Sequence, residues 1–149
     1  MRAFTRAAPA PAAALRRLLR AHCAPPAPEL SVGARFERKL RFRQEDVDAF
    51  CTLTGDANPL HAPSEGSAVV PGSLTAAAFP GIIGTEVPGA VYATQTLAFR
   101  RPVLVGEAVV AAVEVTRLSG RRAVFRTTVS CPGGGQVAVD GDALAVLPR

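Results

Sequence analysis

The sequence has no tryptophan, and aromatic residues make up only 5% of it. A stacking platform for single-stranded nucleic acid is a poor fit to that composition. Cysteine and histidine are scarce: Cys23, Cys51 and Cys131 match no zinc or redox spacing, and His22 and His61 are too few for a histidine-based metal centre. Reduced, structural thiols and no metal are expected. No apolar run reaches the ~20 residues needed to cross a bilayer, so no membrane span is expected. Acid is missing from residues 1–28, which hold Arg2, Arg6, Arg16, Arg17 and Arg20, whereas residues 29–149 hold 12 basic and 12 acidic residues. The net charge of +5 therefore belongs to the first segment. The remainder offers no basic stripe to a polyanion, and no nucleic-acid partner is expected.

The first segment, MRAFTRAAPAPAAALRRLLRAHCAPPAP, is rich in Arg and Ala and ends in prolines. Leu15, Leu18 and Leu19 group on one side of a short helix, with Arg16, Arg17 and Arg20 elsewhere. Residues 1–28 read as an organelle transit peptide, mitochondrial rather than plastid because Ser is scarce and Arg abundant. An unbroken apolar h-region is lacking, which argues against a secretory signal, and Leu147-Pro148-Arg149 is no peroxisomal address. Residues 29–149 are left as one domain. At 48% hydrophobic the chain carries enough apolar matter for a core.

In RFERKLRFR (35–43), Phe36, Leu40 and Phe42 alternate, the pattern of a half-buried strand. QEDVDAFCTLTG (44–55) turns helical, with acids in its first turn and Gly55 as a stop. Residues 56–72 read as a loop punctuated by Pro59, Pro63, Gly66 and Pro71. SLTAAAFPGIIGTEV (73–87) is apolar nearly all round and predicts a buried helix, kinked or ended at Pro80-Gly81. Segments 90–99, 108–118, 123–131 and 136–147 are rich in β-branched residues and separated by turn chemistry, predicting four antiparallel strands. The class is α+β: one apolar helix swaddled by a curved antiparallel sheet, whose open edge invites a second copy.

Chemistry is concentrated in TGDANPLH (54–61). Pro59 forces an extended turn after the helix stop, so Asp56 and His61, five residues apart, can converge on one pocket. A carboxylate beside an imidazole orients it and fixes its tautomer, and such a pair shuttles protons near neutral pH. Alternatively, Asp56 caps a turn and His61 packs. Gly72 stands at the predicted start of the apolar helix, where free backbone N–H groups and the absent side chain suit an approaching carbonyl oxygen. One such donor is worth roughly 2.7–4 kcal/mol to a developing oxyanion. An ordinary N-cap glycine is the plainer reading.

Together these residues resemble a known family. TGDANPLH, followed by PGSLTAAAFPGIIGTEVPGAVYATQTLAFRRPVLVGE, looks like the MaoC-like hydratases and dehydratases of the hot-dog fold, with D-x-N-P-L-H and F-x-x-P-V-x-x-G-[DE] (99–107) as its marks. The resemblance covers roughly residues 30–147. It implies an antiparallel sheet around a central helix, and a homodimer with active sites at its interface. Asp56 and His61 would be the catalytic pair and Gly72 N–H the oxyanion donor. Asn58, Tyr92 and Gln95 would be substrate-binding residues, the last two also explicable as sheet packing. It implies a substrate that is an acyl thioester on acyl carrier protein or CoA, no metal or redox cofactor, and a hydro-lyase of mitochondrial type II fatty acid synthesis. An (R)-specific enoyl-CoA hydratase and a non-catalytic acyl-thioester-binding subunit are the alternatives. Arg100 and Arg101 either meet carrier phosphates or form a plain solvated strand end. The chain departs from the family in Pro71, where many members have His, and in a short interval between His61 and Gly72.

Overall fold

Alternation makes β1 (Arg35–Arg41), with Phe36 and Leu40 turned to the core, Arg38 on the same face reaching Thr85, and Arg35, Glu37, Lys39 and Arg41 on the other. The strand runs into α1 (Gln44–Thr54) through a capping box, in which the Asp46 carboxylate accepts the Arg43 N–H at 2.9 Å. Gly55, at φ 73°, closes the helix by donating its N–H to Cys51 O. Val47 is the α1 side chain fully committed to the core. The computed structural model describes residues 30–63, 66–132 and 135–149. The transit peptide expected over 1–28 lies outside them.

The apolar segment forms two helices, α2 (Gly72–Ala76) and α3 (Ala78–Glu86), and the break falls at Ala77 rather than at Pro80-Gly81. Pro80 explains the shift. Its ring would clash with the carbonyl of Ala76 in a continuous helix, and it has no N–H to give. Restarting the helix at Ala78 puts Pro80 in a first turn, where an N–H has no intrahelical acceptor anyway. The second correction concerns burial. α3 buries Phe79, Ile82 and Ile83, but Gly81, Gly84 and Thr85 face outward. An apolar composition all round therefore reflected glycine on the open face, not enclosure.

Five more strands follow, because the expected strand over 90–99 splits into β2 (Val91–Gln95) and β3 (Ala98–Phe99), both paired with β6 (Val137–Val146). With β4 (Ala108–Ser119) and β5 (Arg122–Ser130) they form one antiparallel sheet, ordered β1-β4-β5-β6-β2. Register shifts at Val115/Arg117, Val129/Ser130 and Tyr92/Thr94 mark bulges, which bend and twist the sheet around the helix. The inner face carries Val109, Val113, Val115, Phe125, Val129 and Val139 interspersed with Ala111, Ala123, Ala143 and Ala145. The alanines let α3 sit close, so Phe79, Ile82 and Ile83 fill the space they leave. This is the hot-dog architecture.

Candidate active site

The loop after α1 is built from short-range hydrogen bonds. Asp56 Oδ1 accepts the Asn58 N–H at 3.0 Å, and Asn58 Oδ1 accepts the Leu60 N–H at 3.1 Å. The second contact caps a 3₁₀ turn over Pro59–His61, with proline in its first positions. These bonds swing His61 back toward Asp56, and their side chains meet with Nε2 and Oδ2 3.4 Å apart. The spacing of five thus converges through a turn, as Pro59 suggested. The His61 side chain is 12% exposed and that of Asp56 36%, so the pair lies at a surface with the imidazole the deeper partner.

Two contacts hold His61 and a third holds its neighbour Leu60. Its main-chain oxygen accepts from Gln44 Nε2 at 2.9 Å. Val69 donates its N–H to Leu60 O at 2.9 Å, and Val69 O lies 2.7 Å from His61 Nδ1. A carbonyl oxygen only accepts, so Nδ1 carries the hydrogen and Nε2 faces Asp56 with its lone pair in the neutral imidazole. Two acceptors 3.4 Å apart make no bond by themselves. A hydroxyl placed between them donates to one of the two, and a proton on Nε2 joins them directly.

Val69 is held by the second motif. Val70 N–H donates to Val103 O at 2.8 Å, Val105 N–H to Ala68 O at 2.9 Å, and Val69 bridges Leu104. Glu107 then ties the motif together, accepting the Leu104 N–H at 3.1 Å and pairing with Arg101 Nη2 at 2.5 Å. The Arg101 hydrogen bond holds the Glu107 carboxyl far below its ordinary range, at about 2. Cys131 Sγ contacts both members of the pair. F-x-x-P-V-x-x-G-E is therefore scaffolding for D-x-N-P-L-H. Sequence reasoning missed Val69 and Glu107 as supports, because a carbonyl contact leaves no residue signature.

Gly72 opens α2, and among the described residues its N–H finds no acceptor. A second reason for glycine appears here. A Cβ at this position would lie 2.7 Å from Cε1 of Phe99, whose ring rests on the glycine. Gly72, Phe99, Val69, Val70, Val103 and Val139 line a cavity of about 560 Å³, together with Ser73, Thr75 and the 100–102 segment.

Tyr92 and Gln95 share a face because of the bulge between Tyr92 and Thr94, which changes the strand's alternation by one residue. Tyr92 Oη and Gln95 Nε2 are buried and unpartnered among the described residues, and burial pushes the phenol up to about 12. Asn58 has its side-chain oxygen spent on the 3₁₀ turn. Arg100 is paired with Asp140 at 2.7 Å and Arg101 with Glu107, and Arg101 Nε is buried without a partner among the described residues. Burial first, then the charges of Asp56 and Asp48, push the Cys51 thiol up, and it stays protonated. No three His, Cys, Asp or Glu side chains gather as a metal site among the described residues, and no described helix is long and apolar enough to span a membrane.

Residues 26–131 match the family described as MaoC like domain. The mitochondrial 3-hydroxyacyl-(acyl-carrier-protein) dehydratase FERN of Solanum lycopersicum is 35% identical over 129 residues, taking in 80% of this chain and 78% of that protein. The (R)-specific enoyl-CoA hydratase of Aeromonas caviae is 38% identical over 132 residues, taking in 82% of this chain and 98% of that protein. A solved structure of the (R)-hydratase from A. caviae involved in PHA biosynthesis superposes with a TM-score of 0.75 at 37% identity, covering 82% of this chain and 100% of that one.

Proposed function

This chain belongs to the MaoC-like domain family, a family of hydro-lyases, and from that premise we propose that it dehydrates (3R)-hydroxyacyl thioesters on acyl carrier protein to trans-2-enoyl thioesters in mitochondrial type II fatty acid synthesis. The observation that carries this reading is the facing of His61 Nε2 and Asp56 Oδ2, 3.4 Å apart, with the opposite imidazole nitrogen tied to Val69 O. A substrate C3 hydroxyl between the two acceptors donates to one and presents its oxygen for protonation. The pair takes the C2 proton and returns a proton to the departing hydroxyl, so that water and the enoyl thioester leave. Each acid–base role is worth about 10²–10⁴ in rate. The Gly72 N–H meets the thioester oxygen as it gains enolate charge. Tyr92 and Gln95 offer buried polar atoms to the substrate's carrier arm, and Asn58 shapes the turn that presents Asp56. Elimination beside a thioester calls for no metal and no redox cofactor.

The same chemistry runs in reverse on a CoA thioester, and the match to the A. caviae hydratase over 98% of its length favours that second reading. The Arg-rich, acid-free first 28 residues support a mitochondrial address, and with it the matrix, and the tomato relative's name carries the word mitochondrial. Two assays separate the readings. Hydration of crotonyl-CoA, followed as loss of enoyl absorbance, tests the reaction class, and an inactive purified protein overturns it. Comparing kcat/KM on matched acyl-carrier-protein and CoA substrates tests the carrier, with a preference for CoA overturning the biosynthetic assignment.

A further inference from the structure

The two residues of the candidate pair are moored to one helix at different levels. Asp56 follows the helix stop and donates its N–H to Cys51 O at 3.1 Å. His61 is tied near the other end, because its main-chain oxygen accepts from Gln44 Nε2 at 2.9 Å. Gln44 and Cys51 are separated by about two turns of α1, a rigid spacer. The mooring at Gln44 is itself closely specified. Gln44 opens α1 next to the capping box that fixes the helix start. Asp48 stands one turn on, and its Oδ1 takes the other Nε2 hydrogen at 2.8 Å. A carbonyl and a carboxylate only accept, so the amide faces both with its nitrogen. Flipping it would lose both bonds and set its oxygen against two acceptors.

We propose that Gln44 is a positioning residue for the reaction: by holding the main chain of His61 to the start of α1, it sets where the imidazole stands against Asp56. The proposal rests on the functional reading above, which makes His61 and Asp56 the reacting pair. Val69 O decides which way the ring faces, and Gln44 decides where the ring's own backbone stands. A misplacement of about 1 Å costs up to about 10²-fold in rate. Gln44 meets no substrate in this role, so its loss should appear in kcat and not in KM.

The test sets hydrogen bonding against helix stability, in the full chain with crotonyl-CoA as substrate. Gln44→Glu keeps the side chain's shape and suits the helix dipole, but brings no donor to His61 O. Gln44→Lys opposes the dipole yet keeps donors for both acceptors. Gln44→Met has neither donor nor charge. kcat is expected to fall about tenfold in Q44E and Q44M and to stay within about threefold of wild type in Q44K, with KM little changed in all three. Should Q44M fail to fold, Q44E still decides, because its acid sits where the helix start favours one. Wild-type kcat in Q44E overturns the proposal while leaving the functional reading intact. An equal loss in Q44K and Q44E, or a loss carried by KM, also overturns it, because helix stability or substrate contact would then be the cause. A wild type inactive on crotonyl-CoA overturns both.

Discussion

At the scale of single residues, the site depends on which atoms can donate. The Val69 carbonyl assigns the hydrogen to Nδ1 of His61, and the lone pair on Nε2 is what a reacting hydroxyl meets. His61→Ala and Asp56→Asn are expected to lower kcat by about 10²–10⁴ with an unchanged melting temperature. Wild-type turnover in purified H61A would end the assignment. Tyr92 allows a sharper distinction between packing and binding. Among the described residues its hydroxyl is buried without a partner, so within them it contributes nothing to the fold that a phenylalanine would not. Tyr92→Phe should melt at or above the wild-type temperature and raise KM several-fold if substrate supplies the missing partner. A variant with wild-type KM would assign the phenol to packing alone. Asp56 and His61 were legible in the sequence because Pro59 dictates a local turn. Val69 was not, because any residue brings the same carbonyl.

At the scale of elements, the second motif supports the first through main-chain hydrogen bonds, and Glu107 is the carboxylate that secures it. Its folded pKa, about 2, lies below the ordinary value of 4.5. A depressed carboxylate stabilises the fold above its unfolded pKa and loses that contribution as pH falls toward the folded one. Melting temperature should therefore drop between about pH 4.5 and 2. Glu107→Gln should melt a few degrees lower at pH 7 and meet the wild-type curve near pH 2. It should also lose several-fold in kcat through Leu104, Val69 and His61, with KM little changed. Parallel curves for the two proteins across that range would remove Glu107 from this role. Helix and strand legibility followed the same division between local and distant causes. α1 was readable from its acids, its spacing and Gly55, all local signals. Pro80 announced a break but not its place, because the clash it causes lies one turn upstream, at the carbonyl of Ala76. The split between β2 and β3 depends on what crosses Gly141 of β6, where a Cβ would collide with the Thr96 carbonyl.

At the scale of the whole molecule, the two edges of the sheet are unlike. β1 carries Arg35, Glu37, Arg38, Lys39 and Arg41, the charged guard that keeps an edge from pairing. β2 and β3 carry no charge, and Val91 on that edge is 63% exposed. That unguarded edge is what a second copy would cover, in keeping with the homodimer that the sequence resemblance implies. Sedimentation of the wild type should give twice the chain mass. Val91→Lys introduces at that edge the guard β1 already has, and should yield monomer with the far-UV spectrum retained. If the site is completed by the partner, the monomer should also lose turnover on crotonyl-CoA, and raising its concentration until it dimerises should restore it. A V91K protein that stays dimeric would move the interface away from this edge. A monomer that keeps full turnover would show that one chain holds everything the reaction needs.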